Sequence, residues 1–196
     1  MPETIPHSLS ILYNPFTKIF SIHLIMNFEL IVASDKNGVI GYNNTIPWYI
    51  PEDLKRFRQL TLNNIVVMGR KTFESLPNGP LKDRINIVIT QNPHQYKNTD
   101  SVIYANMENI FDTITHNRAN KKVFIIGGSE IYKLFFNYCS IIHLTLVHIE
   151  SHICSNCVIF NIDTQSLSLI DKSDIMFSKN NSIPFQYFTY SSEIAQ

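Results

Sequence analysis

Val67-Met68-Gly69-Arg70-Lys71-Thr72-Phe73-Glu74-Ser75 decides how the chain is read. A β-branched and apolar run over 64–69 ends on glycine and passes at once into helical spacing at 71–76. Comparable runs lie at 28–34, 85–90, 101–105, 122–127 and 142–149. None alternates strictly between apolar and polar residues, so each reads as a strand buried on both faces. Further helical segments open at Pro51-Glu52-Asp53-Leu54 and cover 107–115 and 129–138. Pro51 stands where a helix needs no amide hydrogen, and the acids after it suit a helix start. Strand–helix alternation predicts an α/β fold, a mostly parallel sheet with helices on both faces. The last fifth differs. Residues 174–179 and 185–192 read as strands around Asn180-Asn181-Ser182, which predicts a C-terminal antiparallel hairpin.

Composition narrows the function. Of 196 residues, 44% are hydrophobic and 16% charged, which excludes a disordered tail, a collagen or a charged coiled coil. Sixteen basic residues balance sixteen acidic ones, so no general nucleic-acid binder is expected. No uninterrupted apolar stretch reaches the roughly 20 residues of a membrane span. Three cysteines do not make a secreted disulfide framework, and the expectation is a reduced, cytoplasmic monomer. Residues 1–25 contain Pro2, Pro6 and Pro15, one lysine (Lys18) and no arginine. That fits neither a secretory nor a mitochondrial signal. The segment reads as a dispensable extension ahead of a single domain, 26–196, with Met26 as an alternative start.

In such a sheet the ligand site lies beyond the carboxyl ends of the strands. The unusual residues gather there: Asp35-Lys36-Asn37-Gly38-Val39-Ile40-Gly41, Ile46-Pro47-Trp48, Gly69-Arg70-Lys71-Thr72 and Gly127-Gly128-Ser129-Glu130. Each strand–glycine–helix junction, taken alone, is explained by turn chemistry. Together, two helix starts with free amides could hold the two phosphates of a dinucleotide, although the spacing is not Gly-x-Gly-x-x-Gly. Asp53 shares a helix face with Leu54 and Phe57. It either favours the helix N-terminus electrostatically or is a lone acid in an apolar pocket, reading a cationic or amidine-like edge or managing a proton. Trp48, the only tryptophan, is a core anchor or part of that pocket. His148, His152, Cys154 and Cys157 could be drawn as four zinc ligands, but strand geometry requires a bend to unite them, so no metal is expected. Cys139 reads as a buried helix residue.

These strings, with Ile31-Val32-Ala33 before them and Ile125-Ile126-Gly127-Gly128-Ser129-Glu130-Ile131-Tyr132 after, occur in one order over about 27–192. In that order they resemble dihydrofolate reductase. The resemblance implies an eight-stranded mixed sheet and reduction of dihydrofolate to tetrahydrofolate with NADPH. Asp53 matches the family's active-site acid, with Trp48 and Thr145 supporting it and Tyr132 near both pterin and nicotinamide. Ile31, Ala33 and Ile126 would line the pterin pocket, and Leu54, Phe57, Leu76 and Leu81 would meet the aminobenzoyl group. Arg84 matches the arginine for the substrate α-carboxylate. Residues 36–49 match a mobile loop over the nicotinamide, with Ala33, Ile40 and Gly41 against the cofactor. Gly69, Arg70, Lys71, Thr72, Thr90, Gln91, Gly127, Gly128, Ser129, Glu130 and Ile131 match the remaining cofactor positions, with Arg70 and Lys71 facing the 2′-phosphate. Two departures stand out. Thr90-Gln91 and Glu130 offer no positive charge, and Asn156-Cys157 replaces an Asp-Thr pair that braces the mobile loop, with Phe160 at a proline position. The alternatives are a same-fold reductase acting on a ribosylated pyrimidine and a non-catalytic pterin or nucleotide binder. Asp53 and Arg84 together argue against the first, and intact Asp53, Trp48 and glycine junctions against the second. A chain beginning at Met26 is expected to melt in one cooperative transition and to turn over like the full chain; a misfolded product would make the extension structural.

Overall fold

The structure is a computed structural model describing residues 28–192, so the extension 1–25 lies outside the described residues. The elements run β1 (Phe28–Asp35), β2 (Val39–Tyr42), α1 (Pro51–Thr61), β3 (Ile65–Gly69), α2 (Arg70–Glu74), β4 (Ile85–Ile89) and β5 (Val102–Ala105). They continue with α3 (Ile110–Arg118), β6 (Val123–Ile125), α4 (Ser129–Phe135), β7 (Cys139–Val147), β8 (Cys157–Ile159), β9 (Leu167–Lys172), β10 (Met176–Phe177) and β11 (Pro184–Ser192). The main sheet has the order β5-β4-β3-β6-β1-β7-β11, with β9 and β10 both on the outer edge of β11. All pairings from β5 to β7 are parallel, and β11 runs antiparallel to its neighbours. The expected eight strand positions are present, but the edge position is split, so nine segments fill them. Ser173 bridges the split: its N–H donates to the Tyr187 carbonyl and its hydroxyl accepts from the Tyr187 N–H.

Strand alternation sends the central side chains to two cores. Phe28, Leu30, Val32, Ile65, Val67, Val123, Ile125, Ile142 and Leu144 pack on one face under α3 and α4. Ile31, Val66, Met68 and Phe124 pack on the other, against Phe57 and Leu60 of α1 and Phe73 of α2. Burying each such side chain contributes roughly 1.5–3 kcal/mol. That doubly covered sheet is why the strands carry continuous apolar runs. Two pairings lacked such a signal. The antiparallel β2–β8 ladder is short, and β9 is an edge strand whose residues are mostly exposed. Cys139 is buried as read, but it opens β7 rather than lying in a helix. The helix ends at Phe135, and Cys139 Sγ donates to the carbonyl of that residue.

One ion pair is built into the α1 face. Glu29 on β1 meets His143 Nε2 on β7 at 2.8 Å and Lys122 Nζ at 2.7 Å, with Glu29 and His143 both buried. Burial pushes the Glu29 carboxyl up, but the bonds from His143 and Lys122 outweigh it and hold the group below its usual range. An acid held low stabilises the fold above its unfolded pKa and stops doing so as pH falls through the folded value. Glu29→Gln is therefore expected to lower unfolding free energy at pH 7 by about 1–3 kcal/mol. Urea titrations at neutral and acid pH should show the difference shrinking below about pH 4.

Candidate active site

The carboxyl ends of β3, β6, β1 and β7 lie side by side along one edge of the parallel sheet, and the start of α1 meets that edge at Thr145. Pro51 begins α1, and Glu52 and Asp53 occupy its first turn. Asp53 is half-buried, and its Oδ1 accepts a 2.6 Å hydrogen bond from the Thr145 hydroxyl on β7. Among the described residues no cation lies within ion-pair distance of it. Burial raises the Asp53 pKa, and the Thr145 bond and the Arg56 charge only partly offset that. Register explains the meeting. Ala33 on β1 lies beside Thr145, and Tyr187 on β11 lies on its other side. Arg56, one helical turn beyond Asp53, stacks its guanidinium 4.4 Å over the Tyr187 ring. Trp48 is buried in the adjoining cluster with Ile50, Val147 and Phe185, against which Ala33 and Tyr187 pack. Sequence reasoning did not single out Arg56 or Tyr187. The helical spacing of Arg56 from Asp53 was visible, but the approach of β11 was not.

The two glycine junctions come together because β3 and β6 are neighbours. The Gly69 N–H donates to the Gly127 carbonyl at 2.8 Å. Gly127 has φ +104°, and a Cβ there would meet the Tyr132 ring at 2.9 Å. A Cβ on Gly128 would lie 3.3 Å from Thr72 Oγ1, and one on Gly69 would lie 3.2 Å from Ile131. No side chain caps α2 or α4, so the first amides of both helices stay open. The Tyr132 hydroxyl donates to the Ile31 carbonyl at 2.7 Å, joining this cradle to the β1 wall. Arg70 is not a free cation. It donates to both Glu74 carboxylate oxygens at 2.7–2.8 Å, while Lys71 has no ion-pair partner among the described residues. Glu130 and Gln91 are exposed, and Thr90 follows β4 with its N–H donating to the Ala105 carbonyl.

Phe57, Leu76, Leu81 and Ile126 pack, partly buried, against the cluster of Ile31, Val66, Met68 and Phe124, whereas Leu54 on the helix of Phe57 remains 47% exposed. Arg84, just before β4, is only 7% exposed. It donates to the Lys82 carbonyl and the Thr61 hydroxyl, and no carboxylate lies within ion-pair distance among the described residues. Burial and the charge of Arg58 lower its pKa from the ordinary arginine value.

Residues 36–49 arch from the end of β1. Asp35 anchors the base: Oδ1 accepts from the Asn37 and Val39 amides, and Oδ2 from the Ser151 amide. Ile40 packs partly on the main core, and Gly41 pairs with Val158 in the β2–β8 ladder. The hold of Asn156 on this loop is through backbone, its carbonyl accepting from the Asn43 N–H at 3.4 Å. Phe160 is buried and stacks on Tyr132 with ring centroids 4.9 Å apart. The role of Asp35 was not assigned from sequence, because one of its three amide partners, Ser151, lies 116 residues further along the chain.

The comparisons with known proteins agree with this geometry. A family model for dihydrofolate reductase matches residues 27–192. The dihydrofolate reductase of Buchnera aphidicola subsp. Acyrthosiphon pisum is 44% identical over 125 residues, covering 64% of this chain and 74% of that protein. The bifunctional dihydrofolate reductase-thymidylate synthase of Paramecium tetraurelia is 39% identical over 127 residues, covering 63% of this chain and 26% of that protein. The structure of dihydrofolate reductase from Enterococcus faecalis, complexed with NADP(H) and RAB-propyl, superposes with a TM-score of 0.71 at 27% identity. That match covers 85% of this chain and 96% of the other. On its folded core, the order of its motifs and these similarities, the chain belongs to the dihydrofolate reductase family.

Proposed function

We propose that the chain reduces 7,8-dihydrofolate to 5,6,7,8-tetrahydrofolate at the expense of NADPH, and so supports one-carbon metabolism and thymidylate synthesis. The observation that carries this reading is Asp53, a half-buried carboxylate with no cation at ion-pair distance among the described residues, whose Oδ1 accepts from the Thr145 hydroxyl. Its Oδ1 is occupied by the Thr145 hydroxyl, which leaves the other oxygen for the amino-pyrimidine edge of a pterin. The carboxylate's charge favours protonation of the substrate ring, and burial, which raises its pKa above the ordinary aspartate value, makes it a better proton acceptor. Trp48 and Tyr187 limit water on this side, and Tyr132 holds the Ile31 carbonyl in line with Ala33 and Ile126 along the pterin. Phe57, Leu76 and Leu81, with Leu54 closing the rim, fit an aminobenzoyl ring. Arg84, buried without an acid, suits the α-carboxylate beyond it. A ribosylated pyrimidine would have no use for Arg84.

The residues present fit the cofactor, since added Cβ atoms at Gly69, Gly127 and Gly128 would crowd the cradle. When bound, NADPH supplies the hydride that reaches pterin carbon 6. Gly69, Thr72, Gly127, Gly128, Ser129, Glu130 and Ile131 would hold its phosphates through open backbone amides and the Thr72 hydroxyl. Lys71, without an ion-pair partner among the described residues, would take the 2′-phosphate, while Arg70 must share itself with Glu74; Thr90 and Gln91 add only neutral donors. Loop 36–49 would close with Ile40 and Gly41 toward the nicotinamide and exclude water from the hydride path. The enzyme is proposed to act as a cytoplasmic monomer on these two small molecules. Its balanced charge supports a role away from nucleic acid and anionic membrane surfaces.

The direct test follows NADPH oxidation at constant dihydrofolate, with NADH in parallel. Rapid oxidation with NADPH alone supports the reading, and none from folded protein rejects it. Asp53→Asn is expected to lose roughly a hundredfold or more in turnover at neutral pH while still binding NADPH. Because the raised pKa means the ionised acid costs stability above it, the urea midpoint of this variant at pH 7 should be unchanged or higher. Gly127→Ala should weaken NADPH binding by about tenfold or more and lower the melting temperature, since the added methyl strains a positive φ and displaces Tyr132. Titration of the cofactor by fluorescence would measure the first effect and calorimetry the second.

A further inference from the structure

Cys154 and Cys157 take no part in the proposed reduction, yet they sit where the mobile loop is held. Cys157 begins β8 and pairs with Tyr42, the last residue of β2. Cys154 faces it across a turn closed by the Cys157 N–H donating to the Cys154 carbonyl at 3.0 Å. The two Sγ atoms are 2.9 Å apart. Cys157 Sγ also accepts from the Cys154 N–H at 3.3 Å and donates to the His152 carbonyl at 3.4 Å. Cys154 is exposed, and both thiols line a cavity of about 400 Å³ whose other walls include Val39, Tyr42 and Pro47 of the loop region. Among the described residues no three His, Cys, Asp or Glu side chains converge to hold a metal ion. Both cysteines are free thiols.

We propose that Cys154 and Cys157 form a reversible thiol–disulfide site that exchanges with low-molecular-weight disulfides and, when closed, restrains loop 36–49. The sulfurs need move less than about 1 Å to reach the bonding distance near 2.05 Å. Hydrogen bonding from Cys157, and then from the Asn156 amide, holds the Cys154 thiol below the usual cysteine range, whereas Cys157 is pushed up by its bond to Cys154. Cys154 is thus the attacking thiolate. It displaces one thiolate from the small disulfide and becomes a mixed disulfide. Cys157 loses its proton to water and attacks the Cys154 sulfur, expelling the second small thiolate. The protein gives up two electrons and two protons, and the small disulfide is reduced to two thiols. Closure removes the Cys157 contact with the His152 carbonyl and tightens the turn that delivers β8 to β2. The loop meets the β8 segment through the short β2 ladder, the Asn43–Asn156 bond and the Phe160 N–H, which donates to the Gly38 carbonyl at 2.9 Å. A stapled turn fixes that register and slows the opening on which ligand exchange depends.

Only the turnover part of this inference rests on the reductase reading. The full chain would be incubated with increasing ratios of oxidised to reduced glutathione and analysed by intact mass, peptide mapping, emission of Trp48 and turnover. The expected result is an internal Cys154–Cys157 bond with loss of two hydrogens, a changed Trp48 emission and turnover reduced roughly threefold or more. Dithiothreitol should reverse all three. Cys154→Ser should keep reduced-state turnover and lose the response. Failure of the internal bond to form even at high oxidant ratio would overturn the site, and a complete bond with unchanged Trp48 emission would overturn the restraint. If the chain proved inactive on dihydrofolate, mass and emission would still decide the matter.

Discussion

The parallel pairing of β1 with β7 is the constraint on which the rest depends. From Glu29↔Ile141 to Asp35↔Val147 the two strands run in step, and alternation sends Glu29, Ile31, Ala33 and Asp35 to the α1 side with His143, Thr145 and Val147. That face carries the buried Glu29–His143 pair, the Ala33–Thr145 floor beneath Asp53, and the Asp35 anchor of the loop. A one-residue slip would turn all of these into the opposite core. The opposite face of the same strands is filled by Phe28, Leu30, Val32, Ile142 and Leu144, which leaves no freedom for such a slip.

Polar groups on this face are placed so that each has a distinct partner. Glu29 is satisfied by His143 and Lys122 and serves stability. Asp35 accepts three backbone amides and serves loop geometry. Asp53 has one hydroxyl partner and an open oxygen, and Arg84 has a carbonyl and a hydroxyl but no acid. The Glu29 and Asp35 carboxylates are filled by partners from the fold, and the last two groups retain capacity for a ligand. Buried polar groups with spare hydrogen-bonding capacity cost stability unless something completes them, which is the physical case for reading them as binding groups.

The second sheet, β2 with β8, is small but connects regions far apart in the chain. It joins the loop after β1 to the segment after β7. Asn156 meets that loop through its backbone carbonyl, which accepts from the Asn43 N–H, and the next residue, Cys157, pairs with Tyr42 at the end of β2.

The sequence by itself determined the six long central strands, the four helices, the C-terminal hairpin and the clustering of glycines at helix starts. These follow from local period, from proline and glycine placement and from runs buried on two faces, all of which are visible within ten residues. Asp53, Trp48, Thr145 and Arg84 were singled out there too, largely because the ordered motifs resemble a known family. Tertiary structure alone decided the split edge of β9 and β10, whose exposed residues carry no strong pattern. It also decided the β2–β8 ladder, the occupation of Arg70 by Glu74, and the approach of Arg56 and Tyr187 to Asp53. Each depends on which distant segments become neighbours, and register between strands a hundred residues apart leaves no trace in local periodicity.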